Sequence, residues 1–264
     1  METLSRSTKV GPNAPIPVCA GCPADHRTLE TGRMIGVLIQ VRLGSTRLPG
    51  KALLPLAGRP LIAHVMSALR SVCADRWALI TDPDSAEALK PVARKGDYEL
   101  FVGDAHHVLN RYVTAARAFD VTTIVRATGD NPLVSAALAQ SACDLHLQES
   151  ADLTGWDDLP VGTGVEVVER AALEIALSES IDPYEHEHVT PFLYRRRDRF
   201  RVVRRPAEGR FRVPDARVTV DTENDYRQIQ RLFGDCYRGV PIEIEEVVQW
   251  LGGGQKPIRA GGHP

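Results

Sequence analysis

The residues best suited to chemistry lie in one loop, RLGSTRLPGK, which runs from Arg42 to Lys51 and combines three cations, two hydroxyls and two glycines. Glycine lets the backbone approach a ligand closely, and exposed backbone N–H groups donate to phosphate oxygens. Arg47 and Lys51 can neutralise charge on the outer groups of a polyphosphate. The loop is therefore predicted to wrap a triphosphate; a solvated basic loop without a ligand is the alternative.

Two familiar phosphate-binding motifs do not account for this loop. Lys51 is followed by Ala52, so the Walker A pattern GxxxxGK[ST] does not fit, and the chain has no GxGxxG for a dinucleotide. The loop therefore indicates a different class of nucleotide site.

Two carboxylates, Asp130 in ATGDNPL and Asp221 in VTVDTEND, each follow a predicted apolar strand. Both are expected to project into one crevice and to bind a divalent cation that also touches a phosphate. Mg²⁺ suits such a site because it is commonly held by one or two carboxylates, phosphates and water. Each aspartate alone is more typical of a helix cap or a turn.

Short apolar runs alternate with amphipathic stretches from Met34 onward, which predicts an α/β fold with a largely parallel sheet. Ligands of such sheets bind at the carboxyl ends of the strands, where both loops lie. The predicted strands are 34–41, 78–81, 99–102, 122–127, 165–168 and 217–220. The predicted helices are 61–71, 104–119, one from about Ser135 and one after Thr222. Residues 153–211 are expected to form an arm that leaves the main sheet.

Composition limits the class of protein. The chain has 264 residues, 43% hydrophobic and 25% charged, which fits one domain at 34–251 with a flexible extension at 1–33 and a flexible tail at 252–264. A net charge of -2 gives no general attraction to nucleic acid or to a membrane surface. Five cysteines without a framework spacing, and no apolar run near the ~20 residues of a membrane span, predict a reduced, cytoplasmic protein. Cys19 and Cys22, in CAGC, would need further ligands to bind zinc.

Five ordered motifs resemble one family. QVRLGSTRLPGKALLPLAGRPLIAHV, VRATGDNPL, VEVVERAALEIA, EHVTPFLY and VTVDTENDYRQI are similar to the SpsF-like cytidylyltransferases, relatives of the CMP-KDO and CMP-sialate synthetases in the nucleotide-diphospho-sugar transferase superfamily. The resemblance covers Met34 to Leu251. It implies a Rossmann-like, mostly parallel sheet flanked by helices, with a small protruding dimerisation arm. It also implies a homodimer that uses Mg²⁺ to transfer CMP from CTP to a small anionic acceptor, releasing pyrophosphate.

The resemblance also implies roles for individual residues. The residues that would bind CTP are Gln40, Val41, Arg42, Gly44, Ser45, Arg47, Lys51, Arg126, Thr128 and Gly129. The catalytic residues would be Arg47, Lys51, Asp130 and Asp221, with the two aspartates as metal ligands. The residues that would face the acceptor are Glu166, Glu187, His188 and Thr190. If the acceptor attacks through a hydroxyl, His188 or a magnesium-bound hydroxide is the candidate base.

The sequence departs from the family on the acceptor side. Relatives commonly read PDGLDVEVF where this chain reads PVGTGVEVV, so Val161 and Gly164 replace two acids. This change favours a more anionic acceptor, either a nonulosonic-type sugar acid or a phosphonate or phosphate. Two other functions stay open: a nucleotide-binding protein of the same fold without catalysis, and a glycosyltransferase that uses Asp82-Pro83-Asp84 as a metal-binding DxD motif.

Overall fold

The computed structural model describes residues 32–253, which form alternating strands and helices. The strands are β1 (Ile35–Gln40), β2 (Pro55–Leu56), β3 (Arg59–Pro60), β4 (Arg76–Thr81), β5 (Glu99–Val102), β6 (Thr123–Thr128), β7 (Leu153–Asp157), β8 (Glu166–Glu169) and β9 (Val202–Pro206). The α-helices are α1 (Leu61–Leu69), α2 (Pro83–Lys95), α3 (Val108–Ala118), α4 (Ala136–Glu149), α5 (Arg170–Glu179), α6 (Pro183–His188), α7 (Pro191–Tyr194), α8 (Glu223–Cys236) and α9 (Ile244–Gly252).

Seven of these strands form one sheet in the order β5-β4-β1-β6-β8-β7-β9, and β2 pairs with β3 in a small hairpin. The β1–β4, β1–β6, β4–β5 and β7–β9 pairs are parallel, whereas β8 runs antiparallel to both β6 and β7. The prediction of a mostly parallel sheet flanked by helices is confirmed. The carboxyl ends of β1, β4 and β6 lie side by side, and this edge carries residues 42–51, the loop predicted to bind phosphates and called the phosphate loop below.

The sheet has an apolar core on each face because successive side chains of a strand point to opposite sides. On β1, Val37 and Ile39 belong to the core that includes α1, α4 and α8. Leu38, between them, packs in the core formed with α3 and α5. A central strand buried on both faces reads as a continuous apolar run, which is why β1 could be predicted from its sequence.

Polar side chains fix the starts of three helices next to the loops. The Ser135 hydroxyl accepts a hydrogen bond from Leu138 N at 3.3 Å at the start of α4, as predicted. Thr222 and Asp225 form the predicted reciprocal capping box at the start of α8. Asp82 caps α2 by accepting from Ser85 N at 2.8 Å. The DPD motif is therefore accounted for as a helix start.

Two predictions about the second half of the chain are wrong. Residues 153–211 do not leave the main sheet, because they supply β7, β8 and β9 to it, and α5 packs against α3. The strand predicted at 217–220 is only a single bridge, between Arg217 and Val161. In both cases the pairing partner is distant in sequence, and the apolar pattern of a segment does not identify it.

The helix predicted from Asp104 begins later, at Val108. The Asp104 carboxylate accepts hydrogen bonds from the backbone N–H groups of His106 and His107, and so forms a turn before the helix.

Some predictions concern residues or properties that the structure does not describe. The CAGC motif lies outside residues 32–253. Within that range no helix is long and apolar enough to cross a membrane. A role of residues 153–211 in forming a dimer stays a prediction.

Candidate active site

The phosphate loop leaves β1 and is anchored at its two ends. Leu43 N donates to Ser85 Oγ at 2.8 Å, and Gly50 N donates to Leu43 O at 2.9 Å. Gly50 has a positive φ of 68°, a conformation that favours glycine, and the chain then turns into a short 3-10 helix that begins at Lys51. The loop therefore closes on itself and delivers Lys51 to the edge of the sheet.

Lys51 joins the two aspartates that were predicted to act together. Its Nζ donates to Asp130 Oδ2 at 2.7 Å and to Asp221 Oδ1 at 2.8 Å. The side chains of Lys51 and Asp221 are only 12% and 13% exposed, so this pairing is largely shielded from water. The convergence of both carboxylates and the loop cation on one point is thus present in the structure.

The second oxygen of each carboxylate is held by other groups. Thr128 Oγ1 donates to Asp130 Oδ1 at 2.6 Å. Asp221 Oδ2 accepts from Arg217 Nη2 and, at 3.3 Å, from Thr219 Oγ1. Each aspartate therefore keeps one oxygen fixed by the protein and directs the other toward Lys51, which orients both carboxylates before any ligand arrives.

The pKa of Asp221 reflects this environment. Burial by itself raises the pKa of the carboxyl, but the hydrogen bond and charge of Lys51, with the charges of Arg217 and Arg47, outweigh burial and hold the pKa below its ordinary value. Asp221 is therefore ionised at neutral pH, which is the state needed to bind a cation.

The loops that carry the aspartates pack tightly against each other and against β1. Val220 N donates to Asp130 O at 2.9 Å, and Gly129 N donates to Gln40 O at 2.8 Å. A Cβ at Gly129 would lie 2.8 Å from Cβ of Val41, closer than side chains tolerate. The glycine of the TGD motif thus allows two strand ends to lie close together.

Five other predicted CTP-binding residues lie at the end of β1 or in the loop that follows it. Arg47 Nη2 lies 3.3 Å from Asp221 Oδ1, and its side chain is 62% exposed. Arg42 pairs with Glu187 at 3.2 Å. Ser45 Oγ accepts from Leu48 N at 3.4 Å, while Gly44 is exposed. Gln40 Oε1 is buried and has no hydrogen-bond partner among the described residues. The loop therefore offers exposed cations to a ligand.

The donor set fits a magnesium ion that is shared with a nucleotide. Within residues 32–253 no three His, Cys, Asp or Glu side chains are grouped to hold a metal ion. Two oriented carboxylates would be sufficient to hold Mg²⁺ together with nucleotide phosphates and water. The Lys51 ammonium contacts one oxygen of each carboxylate, so both carboxylates are directed toward one cationic group.

A cavity of about 350 Å³ lies beside the carboxylate pair. Thr128 connects the cavity with the carboxylate pair, because it lines the cavity and donates to Asp130. Gly162, in the PVGTG turn, also lines the cavity, and a Cβ there would lie 2.8 Å from Thr219, the neighbour of Asp221. The cavity therefore adjoins the loops that carry the two aspartates. Val161 and Gly164 are both wall residues.

Glu166 is the centre of the polar network in the cavity. Its Oε2 accepts from Arg126 Nη1 and from Thr190 Oγ1, each at 2.9 Å. Its Oε1 accepts from Arg204 Nη1 at 3.4 Å. Glu166 and Thr190, predicted to face the acceptor, are thus brought together. Arg126, predicted to lie near the cytosine, also lines this cavity.

The remaining predicted acceptor residues lie on α6. The ring of His188 contacts that of Tyr184 with centroids 4.2 Å apart. The following residue, Val189, has φ 74° and ψ −56°, a strained conformation for a β-branched side chain. Thr190 N donates to His188 O at 2.9 Å across this tight turn. The strain positions Thr190 toward Glu166, which is consistent with a functional site.

Two functional candidates were missed by the sequence analysis. Arg217 binds Asp221, and nothing in the pattern VTVD marks it. Arg204 belongs to a basic run between residues 195 and 205, of the kind that usually forms solvated surface, yet it lines the cavity and donates through Nε to Asp157 Oδ1 at 2.7 Å. Other arginines of that run form ion pairs at the surface, as Arg201 and Arg205 do with Glu149.

Comparisons with known proteins identify the family of the chain. The family model described as Cytidylyltransferase matches residues 36–249. The spore coat polysaccharide biosynthesis protein SpsF of Bacillus subtilis (strain 168) is 31% identical over 221 residues, or 81% of this chain and 92% of that protein.

Solved structures show the same fold. A cytidylyltransferase from Leptospira borgpetersenii serovar Hardjo-bovis (strain JB197) has a TM-score of 0.79 at 24% identity, covering 88% of this chain and 99% of that one. A CMP:2-keto-3-deoxy-manno-octonic acid synthetase complexed with CTP has a TM-score of 0.60 at 16% identity, covering 76% of this chain and 99% of that one. With its fold, its matched family model and its similarity to SpsF, the chain belongs to the cytidylyltransferase family.

Proposed function

We propose that this cytidylyltransferase uses Mg²⁺, held by Asp130 and Asp221, to transfer CMP from CTP to a small anionic acceptor bound in the adjacent cavity. The observation that carries this proposal is the contact of one loop lysine with both aspartates, next to a cavity that Thr128 and Asn131, the near neighbours of Asp130, help to line. A cation site, a phosphate loop and an acceptor cavity then share one edge of the sheet, as a group transfer between two ligands requires.

In the proposed reaction an acceptor oxygen attacks the α-phosphorus of CTP. The new O–P bond forms as the bond from the α-phosphorus to the oxygen bridging the β-phosphate breaks, and pyrophosphate leaves opposite. Arg42, Arg47 and Lys51 would bind the phosphates and stabilise the charge that builds up on pyrophosphate. Bound Mg²⁺ would neutralise charge on the phosphate oxygens. The rest of the catalytic effect comes from orientation.

The acceptor is proposed to be a sugar acid or a phosphonate whose anion lies near Arg204. The walls include two guanidinium groups, of Arg126 and Arg204, and Arg126 Nε is a buried donor without a partner among the described residues. Asn131 Oδ1, in the same cavity, is an unpartnered acceptor in the described part of the chain. A ligand with both an anionic group and a hydroxyl would satisfy these atoms.

A sugar acid is favoured by the similarity of the fold to that of the CMP:2-keto-3-deoxy-manno-octonic acid synthetase. A sugar acid would attack through a hydroxyl, whose proton must pass to a base, and His188 is the candidate base. A phosphonate would attack through an oxygen that is already ionised, and no base would then be needed. Val161 and Gly164, which line the cavity without charge, allow the second acceptor as well.

The test is pyrophosphate release from CTP with Mg²⁺ and a panel of acceptors: 3-deoxy-manno-octulosonate, N-acetylneuraminate and 2-aminoethylphosphonate. We expect release that requires both CTP and one acceptor, with the cytidylylated product visible by mass spectrometry. ATP, GTP and UTP serve as nucleotide controls. Binding of CTP without product from any of these acceptors would favour the non-catalytic nucleotide-binding alternative and would contradict the proposed acceptor classes.

A further inference from the structure

Lys51 fills the place that the site offers to a divalent cation. Lys51 contacts one oxygen of each carboxylate, Asp130 Oδ2 and Asp221 Oδ1, and Arg47 also lies 3.3 Å from Asp221 Oδ1. The other oxygen of Asp130 is held by Thr128, and that of Asp221 by Arg217. A metal ion bound by both carboxylates would need the same two oxygens. The ammonium and the metal therefore compete for one position.

We propose that Lys51 is an internal counter-cation of the carboxylate pair in the ligand-free protein, and that a divalent cation binds there only when the ammonium moves onto the nucleotide phosphates. The inference rests on the proposed function, in which metal and CTP meet at this pair. It adds an order to that function: the metal enters with the nucleotide and not before it.

Electrostatics supports this order. Two carboxylates carry two negative charges, while Lys51, Arg217 and Arg47 already bring three positive charges to their oxygens. A divalent cation added to this group would be repelled at short range in a site largely shielded from water, where such repulsion is strong. A bound triphosphate changes the net charge at the site, because it adds negative charge. Its oxygens can also accept hydrogen bonds from Lys51 when the ammonium leaves the two carboxylates.

The local structure lets the side chain move while the backbone stays fixed. Lys51 N donates to Leu48 O at 3.3 Å, and Leu54 N donates to Lys51 O at 3.2 Å. The ammonium lies at the end of a flexible four-carbon chain. The phosphate loop that contains Lys51 also carries the exposed Arg47, so phosphates bound by this loop would lie within reach of the lysine.

The test measures the binding of Mn²⁺ without nucleotide. The electron paramagnetic resonance signal of the free ion reports how much Mn²⁺ is bound, and no turnover is involved. We expect wild type to bind Mn²⁺ weakly without nucleotide and Lys51→Met to bind it at least about tenfold more tightly, because the competing charge is gone. If Lys51→Met fails to fold, Lys51→Gln serves as a second neutral variant with a polar side chain, and the same tighter binding is expected. Lys51→Arg, which keeps the charge, should remain weak.

Two controls locate the effect. Lys90→Met removes a surface lysine that pairs with Glu87, and it should bind Mn²⁺ as wild type does. Adding Asp221→Asn to Lys51→Met should abolish the extra affinity if the ion sits between the two aspartates.

The outcomes separate this inference from the proposed function. If wild type and the neutral Lys51 variants bind Mn²⁺ equally, the counter-cation role is wrong, even when CTP recruits the ion to the aspartates. If wild type with CTP binds no Mn²⁺ that depends on Asp130 and Asp221, the proposed metal site itself is wrong.

Discussion

The two halves of the site hold their charges in different ways. On the proposed nucleotide side, Arg47 is mostly exposed and Arg42 is paired with the half-exposed Glu187. On the proposed acceptor side, Arg126 and Arg204 are both more than half buried and share one carboxylate, Glu166. The nucleotide side is thus open to any polyphosphate, whereas a ligand on the acceptor side must match groups that are already bonded to each other.

This difference separates binding from selection. Exposed cations attract an anion at little cost, because few internal contacts have to break. In the cavity, a wrong acceptor would leave buried donors and acceptors unpaired, and that cost discriminates strongly between ligands. The phosphate loop should therefore set the affinity for CTP, and the Glu166 network should set the choice of acceptor.

The largest expected effect is on the carboxylate pair between the two halves. Asp130→Asn and Asp221→Asn should each lower kcat by more than about tenfold, because each would remove a carboxylate that is proposed to hold Mg²⁺, the ion that would neutralise charge on the reacting phosphates. The measurement is pyrophosphate release at saturating Mg²⁺ and CTP, with circular dichroism as the check on folding. Asp84→Asn, an exposed acid in the first turn of α2, is the matched control and should retain full activity.

Near-normal rates in both aspartate variants would remove the metal assignment, and with it the idea that the two halves meet at this pair. A loss confined to Asp221→Asn would instead show that Asp130 serves mainly to position Thr128.

The second prediction concerns two neighbouring arginines on β9. Arg204→Met should raise the acceptor KM roughly ten- to a hundredfold, the range expected for hydrogen bonds to a charged group, and leave the KM for CTP nearly unchanged. Arg205→Met, which removes the next side chain and its surface pair with Glu149, should change neither KM. Initial rates over a matrix of CTP and acceptor concentrations measure both constants.

If Arg204→Met and Arg205→Met behave alike, the cavity is not the acceptor site. If Arg204→Met instead weakens CTP, the division into a nucleotide half and an acceptor half is wrong.

The same contrast explains what the sequence could predict. The phosphate loop, the TGD aspartate and the capped start of α8 are each encoded within a few residues, so glycine, charge and cap patterns identify them. The cavity is built from β6, β7, β8 and β9, which pair across long separations. Arg204 looked like one charge in a basic run, because only the pairing of β9 with β7 places it over Gly155, where a Cβ would lie 3.2 Å from Nη1.

A third prediction separates stability from function on one strand. Glu169, at the end of β8 opposite Glu166, accepts from His146 Nε2 at 3.1 Å and from Thr123 Oγ1 at 2.8 Å. Burial raises its pKa, but these hydrogen bonds and the charges of His146 and Arg33 lower it below the ordinary 4.5. Glu169→Gln should cost roughly 1–3 kcal/mol of unfolding free energy at pH 7 and leave the acceptor KM unchanged.

The pH dependence follows from the direction of that pKa shift. Because the folded pKa is lowered, the contribution of Glu169 is complete above 4.5 and is lost as pH falls through the folded value. Urea unfolding of wild type and Glu169→Gln should therefore show a difference that is constant from pH 7 to 5 and shrinks below pH 4.5. A difference that grows on acidification would mean that the carboxylate is not the stabilising form.

The smallest effects are expected from substitutions of Arg42 and Glu187, the exposed pair that links the two halves. Such pairs contribute about 0–1 kcal/mol, so neither Arg42→Met nor Glu187→Gln should alter stability measurably. Arg42→Met should weaken CTP binding severalfold, since a phosphate contact is lost. Glu187→Gln should leave CTP binding unchanged or slightly tighter, because it releases Arg42 toward the phosphates. Calorimetric titration with CTP distinguishes these cases, and weaker binding in Glu187→Gln would show that α6 supports the phosphate loop and that the two halves are coupled.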